Sequence, residues 1–309
     1  MATTRNDLTD RLQYVALRIV HMMMHCWPVH LNLRLAQFIG DVMYVVDAKH
    51  RKRATGNIRR SFPHFSEAKC QRLARESLRQ MIMLFVEVMF TVRLIRIDTF
   101  TRHVRLGDFQ DTLKLLMRRH GGLIMITGHY GNWEILGYVL GVLGFPTVAV
   151  ARPLDNVYVN RWLLGTRERT GQRIVDKKGA TEDITRTLDA GGTVGFIADQ
   201  NAGPKGLFVD FFGRKASTYK SIGLLAMNYD VPVVIGYARR VGTNFDFEVG
   251  STDIIHPADW KKEDKPLHYI TQRYTAAIEK FVADEPGQYL WVHRRWKTRP
   301  KGEAPETYD

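Results

Sequence analysis

The chain has 309 residues, of which 45% are hydrophobic and 25% charged, a balance that suits a folded protein with a full core and excludes a disordered polyelectrolyte. Its 45 Lys and Arg against 32 Asp and Glu leave a formal charge of +13, which calls for an anionic partner. Two cysteines, Cys26 and Cys70, supply neither a disulfide framework nor a metal pattern, and the mixed charges around Asp7 and Asp10 do not read as a secretory leader.

Residues 12–46 form the first hydrophobic element. The stretch 19–33 lacks Lys, Arg, Asp and Glu but holds His21, His25, Pro28 and His30. It falls short of the roughly twenty apolar residues a membrane span needs. Two helices broken near Pro28, lying in a membrane interface, fit better. His21 and His25 are four apart, yet without a third ligand they read as structural or interfacial rather than as a metal site. A basic cluster follows, with Lys49, Arg51, Lys52, Arg53, Arg59 and Arg60. Basic clusters beside apolar helices suit an anionic lipid surface better than nucleic acid, at about 1 kcal/mol per Lys or Arg near such a surface.

Residues 66–93 read as one long helix, with Leu73, Leu78, Met81, Ile82, Phe85 and Met89 at core spacing. From residue 107 helices and strands alternate. A helix over 108–120 ends at Gly121-Gly122. Strands are predicted at 123–127, 147–151, 193–198 and 231–239. Helices are predicted near 132–143, 156–170, 181–189, 218–229 and 267–284. That alternation predicts an α/β fold, with a mostly parallel or mixed sheet covered by helices on both faces. Residues 301–309 are a polar tail.

Ligands of open α/β sheets gather beyond the carboxyl ends of the strands. Three polar residues stand directly after predicted strands: His129, Arg152 and Asp199. His129 opens the run His129-Tyr130-Gly131-Asn132-Trp133-Glu134, which suits a strand-to-helix turn. If His129 lies on that turn, Glu134 can swing beneath it, hold one tautomer and make the imidazole a general base. Backbone N–H groups near Gly131 and Asn132, at a helix start, are candidate oxyanion donors. Arg152 is a further donor or a phosphate ligand, held extended by Pro153. Asp199 and Gln200 read either as acceptor contacts or as loop caps. Asn132 and Arg161 complete the candidate substrate contacts. Phe208, Phe211 and Phe212 line an acyl chain or form a core strand.

The ordered set of motifs resembles one family. Ala54-Thr55-Gly56-Asn57-Ile58-Arg59-Arg60-Ser61-Phe62-Pro63, the His129–Glu134 run, Ala151-Arg152-Pro153, Ala198-Asp199-Gln200-Asn201 and Tyr289-Leu290-Trp291-Val292-His293-Arg294-Arg295-Trp296 are similar to segments of the bacterial lipid A biosynthesis acyltransferases. The resemblance runs from about residue 31 to residue 300. It implies a glycerolipid-acyltransferase-like fold over residues 49–300, behind a membrane-associating helical extension at 1–48. It implies acyl transfer from a thioester donor to a hydroxyl acceptor at the cytoplasmic face of the inner membrane, without cofactor or metal. His129 and Glu134 carry the catalytic pair by position. The partners implied are acyl carrier protein or acyl-CoA as donor, a glycolipid acceptor and an anionic membrane surface, with no nucleic acid. The acceptor stays open between a lipid A precursor and another phosphoglycolipid or lysophospholipid. A non-enzymatic basic binding protein is the alternative of a different class, and it leaves the polar strand ends unexplained.

Overall fold

Apolar runs without polar alternation take the buried centre of a seven-stranded sheet, as expected of parallel strands covered on both faces. The computed structural model describes residues 6–118, 121–151, 153–176 and 179–304. Four helices lead: α1 (Asp7–His25), α2 (Val29–Val46), α3 (Ala48–Ser61) and α4 (Glu67–Leu94). The sheet region begins with β1 (Val104–Leu106), α5 (Gln110–Arg118), β2 (Leu123–Thr127), α6 (Trp133–Val142) and β3 (Thr147–Ala151). It continues through α7 (Val157–Arg167), β4 (Arg173–Asp176), α8 (Ala180–Asp189) and β5 (Thr193–Ile197). A hairpin of β6 (Leu207–Phe211) and β7 (Arg214–Thr218) precedes α9 (Lys220–Tyr229), β8 (Val233–Arg240) and β9 (Phe247–Ile255). Helices α10 (Pro257–Trp260) and α11 (Pro266–Asp284) follow.

The strand order is β1-β9-β8-β2-β5-β3-β4. β8, β2, β5, β3 and β4 run parallel, while β9 is antiparallel to β8 and carries β1 alongside it. The four strands predicted from sequence are all present, in an α/β fold with a mixed, mostly parallel sheet. Phe211 is buried and Phe212 packs on Phe62 and Trp291, so the aromatic segment is core and hairpin. Of the predicted α4 stripe, Leu73 and Leu78 are buried, but Phe85 is 58% exposed.

Helix α2 lies along α4, with Leu33 and Ala36 buried between them. The approach is close at Gly40, where a Cβ would stand 2.6 Å from the Cα of Arg79. Arg75 and Arg79 of α4 then clasp Asp41 of α2, and their hydrogen bonds hold its carboxyl well below the usual range. The outer faces of α1 and α2 carry exposed apolar side chains, among them Leu12, Ile19, Met23, Trp27, Phe38 and Val42. Among the described residues, no helix is long and apolar enough to cross a membrane.

One charged contact lies wholly inside. The Arg240 guanidinium at the end of β8 donates to Glu87 of α4 at 2.5 and 2.6 Å, and both side chains are fully buried. Asn132 Nδ2 donates to the same carboxylate at 2.7 Å. Glu87 therefore ties the long helix to the sheet and to the start of α6. Removing one partner strands a buried charge. Arg240→Ala should cost about 3–5 kcal/mol in denaturant unfolding. The apolar pair Glu87→Leu/Arg240→Met should recover most of that loss, short by about 1–3 kcal/mol for the orphaned Asn132 amide.

Candidate active site

β2 and β5 are in-register neighbours, Thr127 opposite Ile197. His129 and Asp199 each stand two residues beyond that last pair, so the sheet itself brings them together. Asp199 is buried and accepts twice from His129: from the backbone N–H at 2.8 Å and from ring Nδ1 at 2.7 Å. The two bonds fix both the backbone and the ring. Burial alone would raise the Asp199 carboxyl, but the charge and hydrogen bonds of His129 outweigh it and hold it well below its usual value. A carboxylate at Nδ1 keeps the proton there and leaves Nε2 as the basic nitrogen. Gln200 Nε2 donates to that nitrogen at 3.3 Å and to His293 Nε2 at 3.4 Å. Trp133 meets the ring edge-on, with centroids 4.9 Å apart.

This geometry corrects three sequence expectations. The carboxylate on His129 is Asp199. Glu134, one turn into α6, is instead gripped by both arms of Arg167 at 2.7 and 2.5 Å. His129 does lie on the strand-to-helix turn, but α6 begins at Trp133 and turns Glu134 toward Arg167 of α7 rather than beneath the imidazole. The backbone donors are also spoken for. Gly131 N–H goes to Gln288 O at 3.0 Å and Asn132 N–H to Ala238 O at 2.8 Å. Gly131 has φ +56°, and a Cβ there would lie 2.1 Å from Ala238 O, so only glycine permits this turn. Asn132 is fully buried; its side chain caps α6 through Ile135 N and holds Glu87, facing away from any substrate. Arg152 lies outside the described residues. Arg161 lies on α7, in a cleft facing α1 and α4.

The segment 288–296 completes the site. Leu290 N–H donates to His129 O, pairing the segment with the turn that carries His129. Asn57 of α3 donates to the carbonyls of Trp291 and His293 at 2.8 and 3.1 Å, and Arg53 donates to Val292 O. Arg295, buried, donates to Gln200 O, Ser217 O and Thr218 Oγ1. His293 thereby stands 4.7 Å from His129, ring to ring. Burial, then the neighbouring charge of His129, pulls its pKa down to about 4, so it is neutral near pH 7. The sequence placed His293 in a motif but gave it no role; its signal was a histidine in an aromatic, arginine-rich run.

The comparisons with known proteins agree on one assignment. A model of the bacterial lipid A biosynthesis acyltransferase family matches residues 4–298. The chain belongs to that family. It is 24% identical over 286 residues to a lipid A biosynthesis acyltransferase of Haemophilus influenzae, covering 91% of this chain and 86% of the relative. It is 26% identical over 255 residues to the lipid A biosynthesis palmitoleoyltransferase of Escherichia coli, covering 81% and 80%. Against the lauroyltransferase of E. coli the identity is 23% over 287 residues, covering 91% and 90%.

In this acyltransferase two apolar recesses lie on opposite faces of β3 and β5, and each has on its wall a residue that touches His129: Trp133 in one and Gln200 in the other. The first lies under α6, lined by Met125, Trp133, Leu136, Leu140, Ala149 and Ile174, with Glu134 and Arg167 also on its wall. The second lies between α8 and α9, lined by Val150, Ile184, Phe196, Ile222 and Leu225, and it reaches Gln200.

His293 gives the site a signature in acid. Its folded pKa of about 4 lies below the ordinary 6.5, so between those values the unfolded chain binds the extra proton. Stability contributed by neutral His293 is full above pH 6.5 and is lost as the pH falls toward 4. Urea unfolding at pH 7 and pH 5 should show His293→Gln losing about 2 kcal/mol less than the wild type over that interval.

Proposed function

We propose that this protein is an O-acyltransferase that moves a fatty acyl chain from a thioester to a hydroxyl of a lipid A precursor by direct transfer. The observation that carries the reading is a histidine with Nδ1 locked on a buried carboxylate and Nε2 in contact with Gln200, which stands on the wall of an apolar recess. Nε2 takes the acceptor hydroxyl's proton as the oxygen attacks the thioester carbonyl. The tetrahedral adduct collapses, the C–S bond breaks, and the thiolate leaves with the proton now on Nε2. Asp199 stabilises the imidazolium in between. A base so held supplies roughly 10²–10⁴ in rate.

With the backbone donors of the turn already engaged, the Gln200 amide is the oxyanion donor we favour. It lies within reach of Nε2 and gives up that contact when the hydroxyl arrives. Glu134 acts through Arg167, fixing a guanidinium on the wall of the α6 recess. The recesses suit two reactants that both carry hydrocarbon chains. The names of the relatives support a lipid A acceptor. We assign the donor as an acyl carrier protein, whose acidic surface suits the basic helix α3 beside the His293 segment. The exposed apolar faces of α1 and α2, next to Lys49, Lys52, Arg59 and Arg60, suit attachment to the cytoplasmic face of the inner membrane.

The test is purified protein with labelled acyl-thioester and lipid A precursor, backed by mass spectrometry of lipid A from cells with and without the gene. His129→Ala should lose about 10²–10⁴ in kcat, Asp199→Asn should lose activity in the same range, and the double variant should be little worse than His129→Ala. Glu134→Gln should cost less than Asp199→Asn. Rapid denaturation and protein mass measurement should show no acyl adduct. An adduct formed at the rate of turnover overturns direct transfer, and an unchanged lipid A alongside altered phospholipids moves the acceptor to another glycerolipid.

Attachment has its own measurement. Phe38→Glu/Val42→Glu places two charges on the exposed face of α2. Flotation with anionic vesicles should fall at least about tenfold, while unfolding is unchanged because both side chains face solvent.

A further inference from the structure

Helix α7 has two working faces. On one, Arg167 holds Glu134 at the wall of the apolar recess. On the other, Arg161 and Gly165, followed by Arg169 in the 3-10 turn that continues the helix, recur every four residues along a cleft of about 570 Å³. Arg18 of α1 and Arg93 of α4 close it from the opposite sides, with His21 and His25 on its wall. Four guanidinium groups thus face one cleft, and among the described residues no carboxylate lines it. Arg18 donates to Tyr14 Oη and Arg93 to His25 O, both neutral acceptors. Among the described residues none of the four makes an ion pair. Elsewhere the same fold pairs its arginines readily, as with Arg75 and Arg79 on Asp41 or Arg273 on Asp253.

The glycine is a second, independent sign. Gly165 lies in the interior of a helix, where glycine is less stable than alanine. No atom of the protein lies within 4 Å of where its Cβ would be. Internal packing therefore does not require glycine there, and a larger side chain at this position would stand in the open space of the cleft. The cleft lies across one helix from the recess beside His129, about 10–12 Å away. Its third wall, α1, carries the exposed apolar residues Val15, Ile19 and Met22.

We propose that this cleft is the binding site for a phosphate monoester carried by the lipid acceptor. Guanidinium groups bind phosphate through paired N–H donors, and four of them approach from three helices. A phosphate held there, with its lipid chains toward α1, sets the acceptor's free hydroxyl at the far side of α7, where His129 waits. The inference rests on the acyl-transfer reading only for the identity of the lipid; the anion site itself stands apart from it.

The experiment uses the full chain in detergent and the variant Arg161→Gln/Arg169→Gln, whose side chains are exposed. Titration calorimetry with inorganic pyrophosphate should show saturable binding to the wild type, weakened at least about tenfold in the variant. In the acyl-transfer assay, KM for the phosphorylated acceptor should rise about tenfold or more, with kcat and the donor KM unchanged. With the acceptor dephosphorylated beforehand, wild type and variant should give the same KM. Gly165→Leu should reproduce the KM effect by filling the cleft. Equal KM changes for both acceptors, or none for either, overturn the proposal, as does an effect only on binding to phosphatidylglycerol micelles. Pyrophosphate binding lost in the variant, in a protein that transfers no acyl group, upholds the anion site and rejects the acyl-transfer reading instead.

Discussion

Residues 288–296 are largely sheltered, irregular and central to the site, and the polar groups of such a backbone must find partners inside the protein. Several of those partners are side chains from distant elements. Ser77 of α4 bridges Tyr289 O and Trp291 N–H; Asn57 and Arg53 of α3 take the next carbonyls. The Gln288 side chain continues the pairing of β8 through Arg240 N–H and O. The segment then returns these bonds to the turn that carries His129, through Leu290 N–H and Gln288 O. The position of His129 thus depends on α3 and α4, helices outside the sheet that bears it. The Ala54–Pro63 motif makes sense in this light, because Asn57 and Arg53 do their work on residues more than two hundred positions away.

Charge inside the site is arranged with economy. One buried carboxylate, Asp199, faces two imidazoles, and His293 is held neutral by burial and by the charge of His129. A second imidazolium would compete for Asp199 and disfavour a cation at His129, the state that the proposed transfer passes through. Arg295, whose guanidinium burial pulls below its usual value, spends its donors on the Gln200 carbonyl and on β7 and the residues after it. It holds the Asp199–Gln200 loop from behind, so the amide of Gln200 is presented at a fixed distance from both imidazoles.

The sequence displayed the buried centre of the sheet well, because β2, β3, β5 and β8 are short apolar runs bounded by glycine and proline. It hid the edges. β9 alternates polar and apolar residues and carries a register shift opposite Ile235 and Gly236, while β1 and β4 are three and four residues long. His129 and Asp199 were both visible as strand-end residues, yet their contact was not. It follows from β2 and β5 being neighbours, and adjacency in a parallel sheet is decided by crossover helices rather than by local pattern. Glu134 drew the carboxylate role because it was near in sequence; Asp199, 70 positions away, holds it. Asn132 looked like a ligand and proved to be a helix cap bound to an interior ion pair.

The closing segment has a consequence for the birth of the molecule. A chain emerges from the ribosome from its N-terminus, at about 5–20 residues per second. Helices α1 to α9, β2 and β5 can begin to assemble while residues beyond 260 are still unmade. The turn carrying His129 cannot: its carbonyl and the N–H of Gly131 have their partners at 288–290. The geometry around His129 is therefore set abruptly and late, once residues 288–290 have been made, and until then the sheet assembles around an unfinished turn.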